Sequence, residues 1–198
     1  INKCYFTECL SLYGGGISYF ESKDLESGEL SINSCTFDKC TGEYGCCVFS
    51  RPFKLKIENT NFMGCRDLSI DERAYFESDT ARGPDNEIKI CSFLYVNMAL
   101  QIDIKDCTFK ENGCQMEIYA NETILFTNCL FDKYRSLNFL QLQYIISKGS
   151  SKGTIYDSCI FQNDRSNKSA ITGESKNPNY HNFRYCIFQN NRADNAGG

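Results

Sequence analysis

Leu30-Ser31-Ile32-Asn33-Ser34-Cys35-Thr36-Phe37 recurs in the chain as Ile102-Asp103-Ile104-Lys105-Asp106-Cys107-Thr108-Phe109. Aligned on its C-x-F end, the phrase has anchors at Cys4, Cys35, Thr60, Cys91, Cys107, Cys129, Cys159 and Cys186. A phenylalanine always follows two places on: Phe6, Phe37, Phe62, Phe93, Phe109, Phe131, Phe161 and Phe188. Three places before the anchor stands a large apolar residue: Ile1, Ile32, Ile57, Ile88, Ile104, Phe126, Tyr156 or Phe183. Recurrence of this kind marks a repeat protein, in which each unit buries its apolar face only against its neighbours.

Alternating apolar positions on both sides of a polar pair describe two short strands, because side chains along a strand point to opposite faces. The pair itself reads Asn33-Ser34, Glu58-Asn59, Lys105-Asp106, Thr127-Asn128 or Asp157-Ser158, the residue types that tolerate left-handed backbone. Lys89-Ile90 and Arg184-Tyr185 depart from this rule. A two-residue hairpin requires glycine in its primed turns, and no copy has one there. The chain is therefore expected to bend without reversing and to stack parallel strands ~4.8 Å apart. Isoleucine, cysteine and phenylalanine then form ladders, each buried Phe contributing roughly 1.5–3 kcal/mol.

The spacing between anchors runs 31, 25, 31, 16, 22, 30 and 27 residues, so length varies at the corners while the phrase stays fixed. Gly14-Gly15-Gly16-Ile17 and Gly45-Cys46-Cys47-Val48 open a third strand, with Thr7 to Tyr13 as a connecting corner. Residues 77–87 and 172–180 are loops on composition, as is Ser147 to Gly153. Residues 137–146 are assigned to strand by their place in the repeat. Between Cys91 and Cys107 the pattern is almost continuous strand, which leaves room for scarcely one corner.

The 198 residues are 41% apolar, enough for one long core, and read as a single segment spanning 1–198. The chain opens at Ile1 in mid-phrase and closes on Ala196-Gly197-Gly198, so continuation of the same repeat is expected at both ends. A net charge of −4 with interspersed signs offers no basic stripe for nucleic acid, and no apolar run is long enough to span a membrane. Of thirteen cysteines, seven occupy the anchor position (Cys4, Cys35, Cys91, Cys107, Cys129, Cys159 and Cys186), where a thiol packs as a small apolar group. Cys9, Cys40 and Cys65, three places after the phenylalanine, suggest a second, shorter ladder. A zinc reading of Cys40, Cys46 and Cys47 lacks the usual C-x2-C geometry and has only one histidine to draw on, so no metal and no cofactor is expected.

Gly14-Gly15-Gly16-Ile17 and Ala196-Gly197-Gly198 resemble the G-G-A-I element of the polymorphic membrane protein repeats. Phe109-Lys110-Glu111-Asn112 and Phe188-Gln189-Asn190-Asn191 resemble their F-x-x-N element. The repeat itself reads as an all-β, single-stranded parallel β-helix of about seven to eight turns with three short strands per turn, and the resemblance implies that it is right-handed. It also implies an extracellular or cell-surface location and an adhesive role, with a surface protein or a glycan as ligand. Asn121-Glu122-Thr123 and Asn167-Lys168-Ser169 are candidate glycosylation sequons in expected loops.

The rival function is a polysaccharide-binding module or a polysaccharide lyase or hydrolase, and these need clustered acids with His, Arg or Lys on one outward face. His181 has no Asp within two to four residues, and Asp71-Glu72 and Asp132 pair with nothing the spacing identifies. Tryptophan, the commonest sugar platform, is absent, though Tyr and Phe can substitute. The expectation is a non-catalytic structural or adhesive surface module, with a component of a larger assembly as a third reading.

Overall fold

The structure, a computed structural model, describes residues 1–20, 28–66, 92–113, 115–133, 145–148, 153–166, 172–173 and 181–193. In chain order its strands are β1 (Tyr5–Thr7), β2 (Leu10–Tyr13), β3 (Ile17–Phe20), β4 (Glu29–Asn33), β5 (Thr36–Asp38), β6 (Thr41–Tyr44) and β7 (Val48–Arg51). There follow β8 (Lys54–Glu58), β9 (Asn61–Met63), β10 (Ser92–Lys105), β11 (Thr108–Lys110), β12 (Gln115–Thr127), β13 (Leu130–Asp132) and β14 (Ile145–Lys148). The last are β15 (Thr154–Asp157), β16 (Ile160–Gln162), β17 (Arg165–Ser166), β18 (Thr172–Gly173), β19 (His181–Arg184), β20 (Ile187–Gln189) and β21 (Arg192–Ala193).

Every strand pairing among the described residues is parallel, as the glycine-free bends require. The architecture nonetheless corrects the expected right-handed single-stranded β-helix with three short strands in every turn. The strands divide unequally into a seven-stranded sheet, a branched ten-stranded sheet and two two-stranded sheets, β17-β21 and β2-β6. In the branched sheet β10 pairs both β7 and β8, and β12 pairs both β14 and β15. Two strands are far from short, at 14 residues for β10 and 13 for β12. Neither contains Gly or Pro; β10 is the near-continuous strand expected between Cys91 and Cys107, whereas β12 runs on through the loop expected at Asn121.

The seven-stranded sheet, β1-β5-β9-β11-β13-β16-β20, carries the phenylalanine column. Phe6, Phe37, Phe62, Phe109, Phe131, Phe161 and Phe188 stack ring on ring at centroid separations of 4.6–5.3 Å. Phe93 is not a member. It lies near the start of β10 and meets Phe62 and Phe109 at tilted angles of 46° and 42°. The layer after Thr60 is therefore Cys107, with Phe109 opposite Phe62, and the apparent copy at Cys91 dissolves; Cys91 itself and Ile88 lie outside the described residues. A second inner column runs Ile32, Ile57, Ile104, Phe126, Tyr156 and Phe183 in register.

The bend between the columns has one chemical device. Its second residue is left-handed in each described copy: Lys3, Ser34, Asn59, Asp106, Asn128, Ser158 and Tyr185 have φ of 50–56°. Left-handed backbone costs non-glycine residues roughly 1–2 kcal/mol. The anchor that follows donates its side-chain proton back to the carbonyl two residues earlier. The Cys35 thiol reaches Asn33 O at 3.3 Å, Cys107 reaches Lys105 O at 3.1 Å and Cys159 reaches Asp157 O at 3.4 Å. Thr60 makes the same bond to Glu58 O at 2.8 Å with its hydroxyl. The position thus calls for a compact donor on Cβ, which is why threonine replaces cysteine there without loss of the bend.

Three further expectations change. The Thr7 to Tyr13 corner contains β2, which pairs β6. The Ser147 to Gly153 loop is entered by β14, and the 172–180 loop begins with β18. Residues 77–87 and 137–144 lie outside the described residues. No helix among the described residues is long and apolar enough to cross a membrane.

Candidate functional site

Two residues after each column phenylalanine the chain turns again through a left-handed residue: Glu8, Lys39, Gly64, Glu111, Lys133, Asn163 and Asn190. The next residue points into this second corner, and its identity changes along the molecule: Cys9, Cys40 and Cys65, then Asn112, Asp164 and Asn191. Asn112 is fully buried, accepts the Cys65 N–H on Oδ1 at 3.0 Å and donates from Nδ2 to Phe62 O at 3.0 Å. Asn191 repeats the arrangement, accepting from Asp164 N–H and donating to Phe161 O at 2.9 Å. The F-x-x-N spacing is therefore a clamp between layers.

At the cysteine-bearing corner the side chains converge on a sulfur pocket. Cys46, Cys47 and Cys65 are fully buried, and their Sγ atoms all lie within 4.8 Å of one another. The Cys47 and Cys65 sulfurs are 3.1 Å apart. Cys40, also fully buried, faces both of these thiols. Gly45, left-handed at φ 56°, turns the chain so that the adjacent Cys46 and Cys47 both face inward. Gly42 has no Cβ because one would stand 2.8 Å from the Cys46 Cβ and 2.5 Å from Ser11 O. Hydrogen bonds from the next layer pin the pocket: Cys46 N–H donates to Ser92 O, Cys47 N–H to Phe93 O, and Gly45 N–H to the Ser92 hydroxyl.

The thiols of the pocket are not equivalent. Burial pushes the Cys47 thiol well up. Burial also acts against ionising Cys46, but hydrogen bonds from the Cys47 and Cys65 thiols outweigh it and bring Cys46 down to about 6. At Cys40 the Cys47 thiol favours the charged form, but hydrogen bonding to Cys65 and burial prevail and push it up to about 11. A thiolate is the form that acts as metal ligand or nucleophile.

A second feature faces outward. Tyr13 stacks on Tyr44 at 5.4 Å, Phe49 stacks on Tyr95 at 5.0 Å, and Tyr13 and Phe20 lean edgewise on Phe49. Tyr119 extends the group from Tyr95 and donates its hydroxyl proton to Glu117. Burial, with the Glu117 charge, raises the Tyr95 phenol. Tyr13 is 50% exposed and Phe20 63% exposed, the other rings being partly covered. These six rings cross β2, β3, β6, β7, β10 and β12 as one aromatic face.

The residues singled out from sequence fall as follows. Cys35, Cys107, Cys129 and Cys159 are buried in the anchor column, Cys186 is partly buried and Cys4 is exposed at its outer layer. All eleven described cysteines are free, and Cys91 and Cys114 lie outside the described residues. Asn121 is exposed but sits within β12, at the register shift opposite Leu100, rather than in a loop. Asn167 and the pair Asp71-Glu72 lie outside the described residues. Asp132, which the spacing pairs with nothing, is buried and accepts the Asn163 amide at 2.8 Å. His181 begins β19 beside Tyr156 and Phe183, and burial lowers its pKa. No acid reaches it among the described residues that would make it a catalytic base.

Sequence reasoning set the Cys40, Cys46 and Cys47 grouping aside and missed Cys65 as their neighbour, and it missed the aromatic face entirely. The available signal for the face was Tyr-Gly before each glycine-started strand, at Tyr13-Gly14 and Tyr44-Gly45, with Phe20 and Phe49 after it. No family model, curated protein or solved structure matches the chain.

Proposed function

We propose that this chain is a non-catalytic contact module, exported or displayed at a cell surface, that meets a protein partner through its outward aromatic face. The observation that carries the reading is the group Tyr13, Phe20, Tyr44, Phe49, Tyr95 and Tyr119, contiguous across the strands and partly open to solvent. Aromatic side chains dominate the energetics of protein contacts, and contiguous exposed apolar patches mark interaction sites. Ring orientation favours protein over glycan. A sugar stacks on an open ring face, whereas Tyr13 with Tyr44 and Phe49 with Tyr95 spend faces on each other at interplanar angles of 6° and 15°. The likeness to the polymorphic membrane protein repeats supports export and an adhesive role, and the absence of an acid beside His181 among the described residues supports a non-enzyme.

The test is adhesion of beads carrying the purified chain to cultured cell monolayers, repeated after protease and after glycosidase treatment of the cells. Protease is expected to abolish adhesion, and the double substitution Tyr13→Ser with Phe20→Ser to weaken it by about tenfold with an unchanged unfolding midpoint, since both rings are exposed. Undiminished adhesion of that variant overturns the face. Loss with glycosidase alone overturns the protein partner. Unsaturated or reducing-end products from a panel of polysaccharides overturn the non-enzyme.

A further inference from the structure

Three buried sulfurs in mutual contact are more than the core needs. An anchor thiol such as Cys107 or Cys159 satisfies itself on backbone carbonyls of its own bend and the neighbouring layer. Cys47 instead has Cys65 as its sulfur partner at 3.1 Å, with Cys46 completing a triangle whose longest side is within 4.8 Å. Sulfurs sharing one ion at about 2.3 Å stand about 3.8–4 Å apart, so the triangle closes on an ion with sub-ångström shifts of side chains. A disulfide would use two of these sulfurs and strand the third.

We propose that Cys46, Cys47 and Cys65 form a binding site for one thiophilic d10 cation, Zn(II) or Cu(I). Soft thiolate sets select these ions, whereas Ca(II) and Mg(II) require oxygen ligands. Each coordinating thiol releases its proton to solvent as its metal–sulfur bond forms, and no electron is transferred. The backbone that presents the ligands is already fixed. Asn112 holds the Cys65 N–H, Ser92 holds Gly45 and Cys46, and the Phe93 carbonyl holds Cys47. Such outer partners typically account for 10–100-fold in metal affinity. Asn112 is accordingly a positioning residue for the site as well as a clamp between layers. The Gly42 and Gly45 requirements also gain a purpose, because side chains there would displace Cys46 or the turn that aims it.

The proposal is independent of the aromatic face. It is tested by anaerobic titration of the reduced chain with Co(II), as the visible stand-in for Zn(II), and separately with Cu(I), each against a competing chelator. One equivalent is expected, with a thiolate-to-metal charge-transfer band and the same count of one in native mass spectrometry. Cys65→Ala is expected to weaken uptake by at least about 100-fold, while Cys129→Ala, in the anchor column, leaves it unchanged. Asn112→Ala is expected to lower affinity about tenfold or more without changing stoichiometry. Failure of the reduced wild-type chain to take up either ion, equal uptake by folded Cys65→Ala, or isolation of metal-free chain with Cys47 bonded to Cys65 overturns it. The wild-type titration needs no variant and stands if Cys65→Ala does not fold.

Discussion

Cys40 and Asn112 occupy the same corner of successive parts of one structure and solve it differently. The amide of Asn112 bonds the Cys65 N–H and the Phe62 carbonyl, tying adjacent layers by two direct hydrogen bonds. The Cys40 thiol makes only long contacts, 3.8 Å to Phe6 O and 3.9 Å to Asp38 O, and turns toward Cys47 and Cys65. One half of the molecule therefore uses the corner to hold backbone, and the other uses it to gather sulfur. The backbone bend is the same in both, since Lys39 and Glu111 have φ of 52° and 56°. Corner chemistry can thus change without altering the strand register that surrounds it.

The largest loss follows from removing what both halves share. Phe62 is fully buried between Phe37 and Phe109, so Phe62→Ala is expected to cost about 3–5 kcal/mol in denaturant unfolding. Phe188, 53% exposed and stacked on Phe161 alone among the column rings, is expected to lose far less on the same change. Next in size, Asn112→Ala leaves a donor and an acceptor buried without partners and is expected to cost about 2–4 kcal/mol. Cys40→Ala, which removes a sulfur but no strong hydrogen bond, is expected to cost about 1 kcal/mol by the same assay. Equal losses at Cys40 and Asn112 would erase the distinction.

The remaining effect is a pH dependence. An unfolded Cys40 ionises near 9.0, whereas the folded thiol holds its proton to about 11. The folded state then binds more protons in that interval, so this contribution is full below pH 9 and is lost as pH rises through about 11. Denaturant midpoints measured from pH 8.5 to 11 are expected to fall in the wild-type chain and to fall less in Cys40→Ala.

How far sequence carried depends on whether a feature repeats. The Phe column and the left-handed bend recur with fixed spacing, so Phe37, Phe62, Asn59 and Asp106 were readable from alternation and residue type. Phe93 matched the same spacing by coincidence. Its failure follows from β10, which carries Phe93 in the ten-stranded sheet beside β7 and β8 and not in the sheet that bears the column. The continuity of β12 carried Asn121 out of a loop and into a strand. Asp132 was left without a partner because Asn163 is its neighbour only after layers stack. Cys65 joins Cys46 and Cys47 for the same reason, its 18-residue separation from Cys47 being closed by register rather than by sequence spacing. The aromatic face was missed because outward positions vary from layer to layer, and only assembled strands bring Tyr95 against Phe49.

The thiols are ordered by layer and depth, and residue-resolved alkylation of the native, reduced, metal-free chain measures that order directly. Cys4 is expected to react first and Cys9 next, while Cys46, Cys47 and Cys65 react only at the rate of global unfolding. Modification of Cys46, Cys47 or Cys65 as fast as Cys4 under native conditions would contradict it.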